Sequence, residues 1–168
     1  MSRDLKIHCT REIGFDELCA VAKSIAEGLV GARVPSIVPE RSPGHESPHR
    51  PVIVSDPDDV ALIAFRGIPS SVELVTFCAR GIDGVERTRF SVELPTGHSA
   101  VGYLLAVSVA AALARMNNEP ILDDPGYFTP GGGIKTEDEF LDEVRSGKSG
   151  IAPNELERAL ALFRSPYT

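Results

Sequence analysis

Residues 72–94 read VELVTFCARGIDGVERTRFSVEL, and the pattern within them decides the fold class. Two β-rich runs, 72–80 and 85–94, flank Gly81-Ile82-Asp83-Gly84, whose glycines tolerate the positive φ of a hairpin turn. The second run alternates. Thr88, Phe90, Val92 and Leu94 fall on one side, and Arg87, Arg89, Ser91 and Glu93 on the other. A sheet built on such a hairpin is antiparallel, with one covered face and one at least partly wet. Just upstream, residues 60–66 (VALIAFR) are almost continuously apolar, as in a central strand covered on both faces. Residues 52–55 are a shorter strand candidate, set off by Asp56-Pro57-Asp58-Asp59.

Outward from this core the period changes. Residues 15–29 place Phe15, Leu18, Ala22, Ile25 and Leu29 at helical spacing, with Asp16 and Glu17 at the positive end of the dipole and Gly28 and Gly31 as stops. Residues 4–10 alternate weakly and make a first strand. Residues 99–116 form a long helix capped by Ser99 and ended by Asn117-Asn118. Its uncharged 100–114 window is shorter than a membrane span and rich in alanine, so a buried helix lying close to a sheet is expected. Residues 120–123 suit a short strand, 126–134 a glycine-rich loop. Thr136 and Glu139 are spaced as a capping box for an acidic helix, and 153–163 reads as a last helix. Residues 33–51 hold five prolines and are expected to be a loop or mobile insert.

The order implies a single α+β domain over residues 1–168, closed by an acidic helical segment over 135–168. Its sheet is mainly antiparallel, with two main helices on one face, related to the ferredoxin-like sandwich, and two short C-terminal helices follow. The chain has 168 residues, 42% apolar and 24% charged, which excludes a disordered polyelectrolyte. A net charge of −7 argues against a nucleic-acid backbone as the main partner. No secretory leader is expected from MSRDLKIHCTRE. Cys9, Cys19 and Cys78 are odd in number and form no CxxC pair, which suits free thiols in a reducing cytoplasm.

No catalytic or metal-binding set is complete. His45 and His49 are four apart, but Pro43 and Pro48 forbid the helix that would make them zinc ligands. Asp56, Asp58 and Asp59 lack the glycine and glutamate of a calcium loop. Gly131-Gly132-Gly133 misses phosphate-loop spacing and leads into carboxylates at the helix start. Asp123 and Asp124 could act as an acid and base pair, or simply precede the Pro125-Gly126 turn. No cofactor or metal is therefore expected. Arg80, Arg87 and Arg89 are the strongest basic grouping, suited to an anion or to solvent.

Charge is segregated. Residues 119–168 carry ten acidic and five basic side chains, net −5, against −2 for the first 118. Within them, Glu137, Asp138, Asp142 and Glu143 surround Phe140, Leu141 and Val144. Acidic rims around apolar anchors suit docking onto a basic protein. The layout from the first strand through the alanine-rich helix to Ile121-Leu122-Asp123-Asp124-Pro125-Gly126-Tyr127-Phe128, residues 4–128, resembles small bacterial immunity proteins of polymorphic toxin systems. That resemblance implies a non-catalytic, cytoplasmic module that occludes a basic toxin or effector. On this reading Asp123, Asp124, Tyr127, Glu137, Asp138, Phe140, Asp142 and Glu143 are the expected partner-binding residues. Two alternatives stand beside it: a small enzyme or ligand-binding domain near Asp123, Asp124, Tyr127 and the glycine loop, with His98, and a secretion chaperone.

Overall fold

The computed structural model describes residues 3–40, 54–55, 60–124, 126–147 and 154–164. The elements run β1 (Asp4–His8), α1 (Phe15–Val30), β2 (Ile37–Pro39), β3 (Val60–Phe65), β4 (Ser71–Arg80), β5 (Glu86–Glu93), α2 (Ala100–Asn117), β6 (Ile121–Asp123), β7 (Gly133–Lys135), α3 (Glu137–Arg145) and α4 (Glu155–Arg164). The strands make one seven-stranded antiparallel sheet in the order β2-β3-β4-β5-β1-β6-β7. The expected α+β class holds. Strands β5 and β6 flank β1 rather than each other, with α2 joining them, which is the split β-α-β crossover of a ferredoxin-like sandwich.

Register assigns the faces. Leu5, Ile7, Ile63, Phe65, Val72, Leu74, Phe90, Val92 and Ile121 share the covered face and are buried. Helix α2 lies against it. This helix is apolar all round because it is covered all round: it touches the sheet, α1, α3 and α4. By length and composition α2 could cross a membrane, yet 89% of it is buried inside the domain. Its alanines, Ala106 and Ala110 to Ala112, are fully buried and let the backbones of neighbouring elements approach closely. The expected caps are present. Ser99 accepts from the Gly102 amide, Gly31 and Asn118 are left-handed stops, and Thr136 and Glu139 form the reciprocal box.

Three expectations need correction. The proline-rich stretch 33–51 contains β2, an edge strand in which Ile37 pairs with Phe65 and Pro39 ends the pairing; residues 41–51 lie outside the described set. The glycine-rich loop contributes β7, another short edge strand, paired on β6. Residues 54–55 are a turn rather than a strand. The Val54 amide donates to the Ile13 carbonyl, and its carbonyl accepts from Thr76 Oγ1. His45, His49, Asp56, Asp58 and Asp59 lie outside the described residues. The three cysteines are free, Cys19 buried and Cys78 exposed.

Antiparallel pairing sorts the loops into two ends. β1 runs opposite to β5 and β6, so its C-terminus lies with their N-termini, and α2 returns to that same end before β6. β7 runs back along β6 and delivers the start of α3 there too. One end therefore gathers the β4–β5 turn, the β1–α1 connection, the end of α2 and the start of α3. Asn117 ties it together: its Oδ1 accepts from the Thr10 amide at 2.8 Å and the Arg11 amide at 3.3 Å. The other end gathers the start of β1, the β5–α2 connection and the end of β6.

Candidate partner-binding surface

The expected partner-binding residues fall at both ends. Asp123 is 1% exposed and wholly engaged: Oδ1 accepts from the Tyr127 amide at 3.1 Å, and Oδ2 from the Phe128 amide, the Thr129 amide and Thr129 Oγ1 at 3.1, 2.7 and 2.8 Å. That carboxylate organises its own turn and offers nothing to a partner. Asp124 beside it is exposed. Phe140 is fully buried together with Leu141 and Val144, so the anticipated apolar anchors of α3 pack inward, and the helix shows a partner only its charged side. On that side Asp142 pairs with Arg145 at 3.2 Å, and Glu143 holds Lys135 at 3.0 Å.

The end carrying the β4–β5 turn is where charge accumulates. Four of its arginines are neutralised: Arg11 by Glu17 at 2.8 Å, Arg80 by Glu86 at 3.5 Å, Arg87 by Asp83 at 2.5 Å and Arg115 by Glu137 at 2.5 Å. Of the expected arginine group, Arg80 and Arg87 are already paired, whereas Arg89 forms no ion pair among the described residues and its buried Nε has no hydrogen-bond partner. Arg87 holds the Asp83 carboxyl down to about 2, chiefly through its hydrogen bonds. Glu12 and Asp138 are exposed, Glu119 is half-buried, and none of the three is in an ion pair among the described residues. The Thr136 amide and hydroxyl donate to Glu139 and hold its carboxyl below the ordinary carboxylate range. Between the end of α2 and the start of α3 lies a cleft of about 440 Å³, lined by Arg115, Asn118, Glu119, Thr136, Glu137 and Asp138. Sequence reading found Glu137 and Asp138 but not Arg115 or Glu12, which join them only through the topology.

At the opposite end Arg3, His98 and Tyr127 converge. Arg3 NH1 lies 3.1 Å from His98 Nδ1, and Tyr127 OH lies 3.0 Å from Nε2. Arginine cannot accept, so Nδ1 must, and the ring proton sits on Nε2 and is donated to the tyrosine oxygen. The Arg3 guanidinium also lies 4.7 Å from the centre of the Tyr127 ring. Burial lowers the His98 pKa, with Glu155 opposing and Arg3 reinforcing that shift, and burial raises the Tyr127 pKa. A neutral imidazole already engaged at both nitrogens is a clasp between the residue before β1, the β5–α2 connection and the β6–β7 loop. Sequence reading singled out His98 and Tyr127, but nothing marked Arg3 as their third member. Of the carboxylates expected to work with them, Asp123 is turned into its own loop, and Asp124 is exposed. Among the described residues no group of three His, Cys, Asp or Glu side chains could hold a metal.

No protein-family model, no curated protein and no solved structure matches this chain.

Proposed function

We propose that this chain is a non-catalytic, cytoplasmic protein-binding module that occludes a basic partner, of the kind that immunity and antitoxin proteins represent. The observation that carries the reading is the end of the sheet where Arg11, Arg80, Arg87 and Arg115 are each paired with a carboxylate, while Glu12, Glu119 and Asp138, which form no ion pair among the described residues, outnumber the unpaired Arg89. Such a surface steers and orients a basic partner. The binding centre moves accordingly, from the apolar side of α3 to the start of α3 and the end of α2.

The test is a pull-down from the source cell with the native chain and with the double variant Glu119→Lys, Asp138→Lys, followed by toxicity rescue where the partner is a toxin. The variant is expected to lose a partner that the native chain retains, and the native chain's own hold is expected to weaken as salt rises. Equal retention by both chains sinks the reading. Recovery of no protein, with a metabolite bound to the purified chain, favours the ligand-binding alternative, for which the Arg3, His98 and Tyr127 cluster is the supporting observation.

A further inference from the structure

The β4–β5 hairpin runs past the body of the sheet. Strand β3 pairs with β4 only as far as Val75, and β1 pairs with β5 only as far as Arg89. Residues 79–80 and 86–87 pair with each other and with no third strand among the described residues. From Arg89 to Val85 the arm projects about 13 Å at the rise of an extended strand.

Its tip is apolar and stiff. Ile82 is 111% exposed and Val85 50%. The Gly81 amide donates to the Val85 carbonyl and the Gly84 amide to the Gly81 carbonyl, both at 2.9 Å. Gly84 takes φ +76, which a side chain would resist. The Asp83 carboxylate accepts from the Val85 amide at 3.1 Å and from both terminal Arg87 nitrogens at 3.0 and 2.5 Å. With Arg80 paired to Glu86 and Arg87 to Asp83, the charges of residues 80–87 cancel within the arm. The fold makes no use of Ile82, which sits at a turn position where glycine, asparagine, aspartate or proline is the ordinary choice. A rigid convex arm bearing an aliphatic knob loses little entropy on docking.

We propose that this hairpin enters the partner, with Ile82 and Val85 seated in an apolar pocket whose rim is basic and faces Glu12, Glu119 and Asp138 behind the arm. The inference rests on the reading above that the partner is a basic protein. Charge selects this occupant over two others. A second copy would bring the same carboxylates face to face, and an anionic lipid surface would repel them.

The test places the photo-crosslinking residue p-benzoylphenylalanine at position 82 in the source cell. The captured protein is then purified and titrated with the native chain, with Ile82→Ser and with the double variant Glu119→Lys, Asp138→Lys. Crosslinking to a single basic protein is expected. Ile82→Ser should weaken its binding roughly tenfold to a hundredfold, with an unchanged melting temperature because the side chain is fully exposed. Absence of a crosslink, or native affinity in Ile82→Ser, overturns the hairpin proposal; if the lysine variant still loses binding, the basic-partner reading survives alone. Native affinity in the lysine variant removes that reading instead. Crosslinking to a second copy overturns the hairpin proposal, as does Ile82-dependent sedimentation with phosphatidylcholine–phosphatidylserine vesicles.

Discussion

Replacing Asp123 separates a scaffolding carboxylate from a reactive one. In the native chain it satisfies three backbone amides and one hydroxyl in a site that is 1% exposed. Asp123→Ala strands the amides of Tyr127, Phe128 and Thr129, and each buried donor left without a partner costs about 1–3 kcal/mol. Thr129 Oγ1 can rotate elsewhere, so the amides set the scale, and a loss of about 3–5 kcal/mol is expected. For a chain of this length that lowers the melting temperature by about 10 °C or more. Asp123→Asn is milder. Its oxygen can occupy the Oδ2 position and keep three of the four bonds, leaving its amide nitrogen against the Tyr127 amide, at a cost of about 1–2 kcal/mol. Urea denaturation of the three proteins measures both differences. A loss below about 1 kcal/mol in the alanine variant refutes the scaffolding argument. So does an asparagine variant of native stability that has lost a measurable chemical activity, since that outcome returns Asp123 to the role of acid or base.

The His98 clasp makes stability depend on pH. The folded pKa is lowered below the ordinary value of about 6.5, so the unfolded chain takes up the proton first. The contribution is therefore complete above that value and is lost as pH falls from it toward the lower folded pKa. His98→Gln should flatten the slope of stability between pH 7 and 5.5, and an unchanged slope removes the clasp from the account. Gly132→Ala should destabilise the β6–β7 loop by about 2 kcal/mol or more, because φ is +57 and the new methyl would meet the backbone of Asp123 and Gly126. A melting temperature within 2–3 °C of native, a shift corresponding to roughly 1 kcal/mol for a chain of this size, would show that the loop relaxes instead.

The long helix illustrates what periodicity can and cannot reveal. Residues 100–114 are uncharged, so burial follows from composition. Which elements surround the helix on its other sides does not, and these turn out to be α1, α3 and α4. The two edge strands β2 and β7 were illegible for a different reason. Each is three residues long and inside a proline-rich or glycine-rich stretch. Local propensity there points to loop, and only pairing with an already formed neighbour supplies the hydrogen bonds that make a strand. Phe140 was misassigned because an apolar residue amid carboxylates fits equally well a helix that docks outward and one that packs inward.

Alternation, turn glycines, caps and charge balance were enough to determine an antiparallel α+β domain, its main elements and an acidic C-terminal third, because each depends on residues close in sequence. The placement of Arg11, Arg80, Arg87 and Arg115 beside the carboxylates that cancel them was decided only by the tertiary structure, as was the meeting of Arg3, His98 and Tyr127. Arg3 meets His98 across 95 positions and Arg115 meets Glu137 across 22. Strand order and direction set such distances, and a linear pattern carries no record of which chain ends a sheet will bring together.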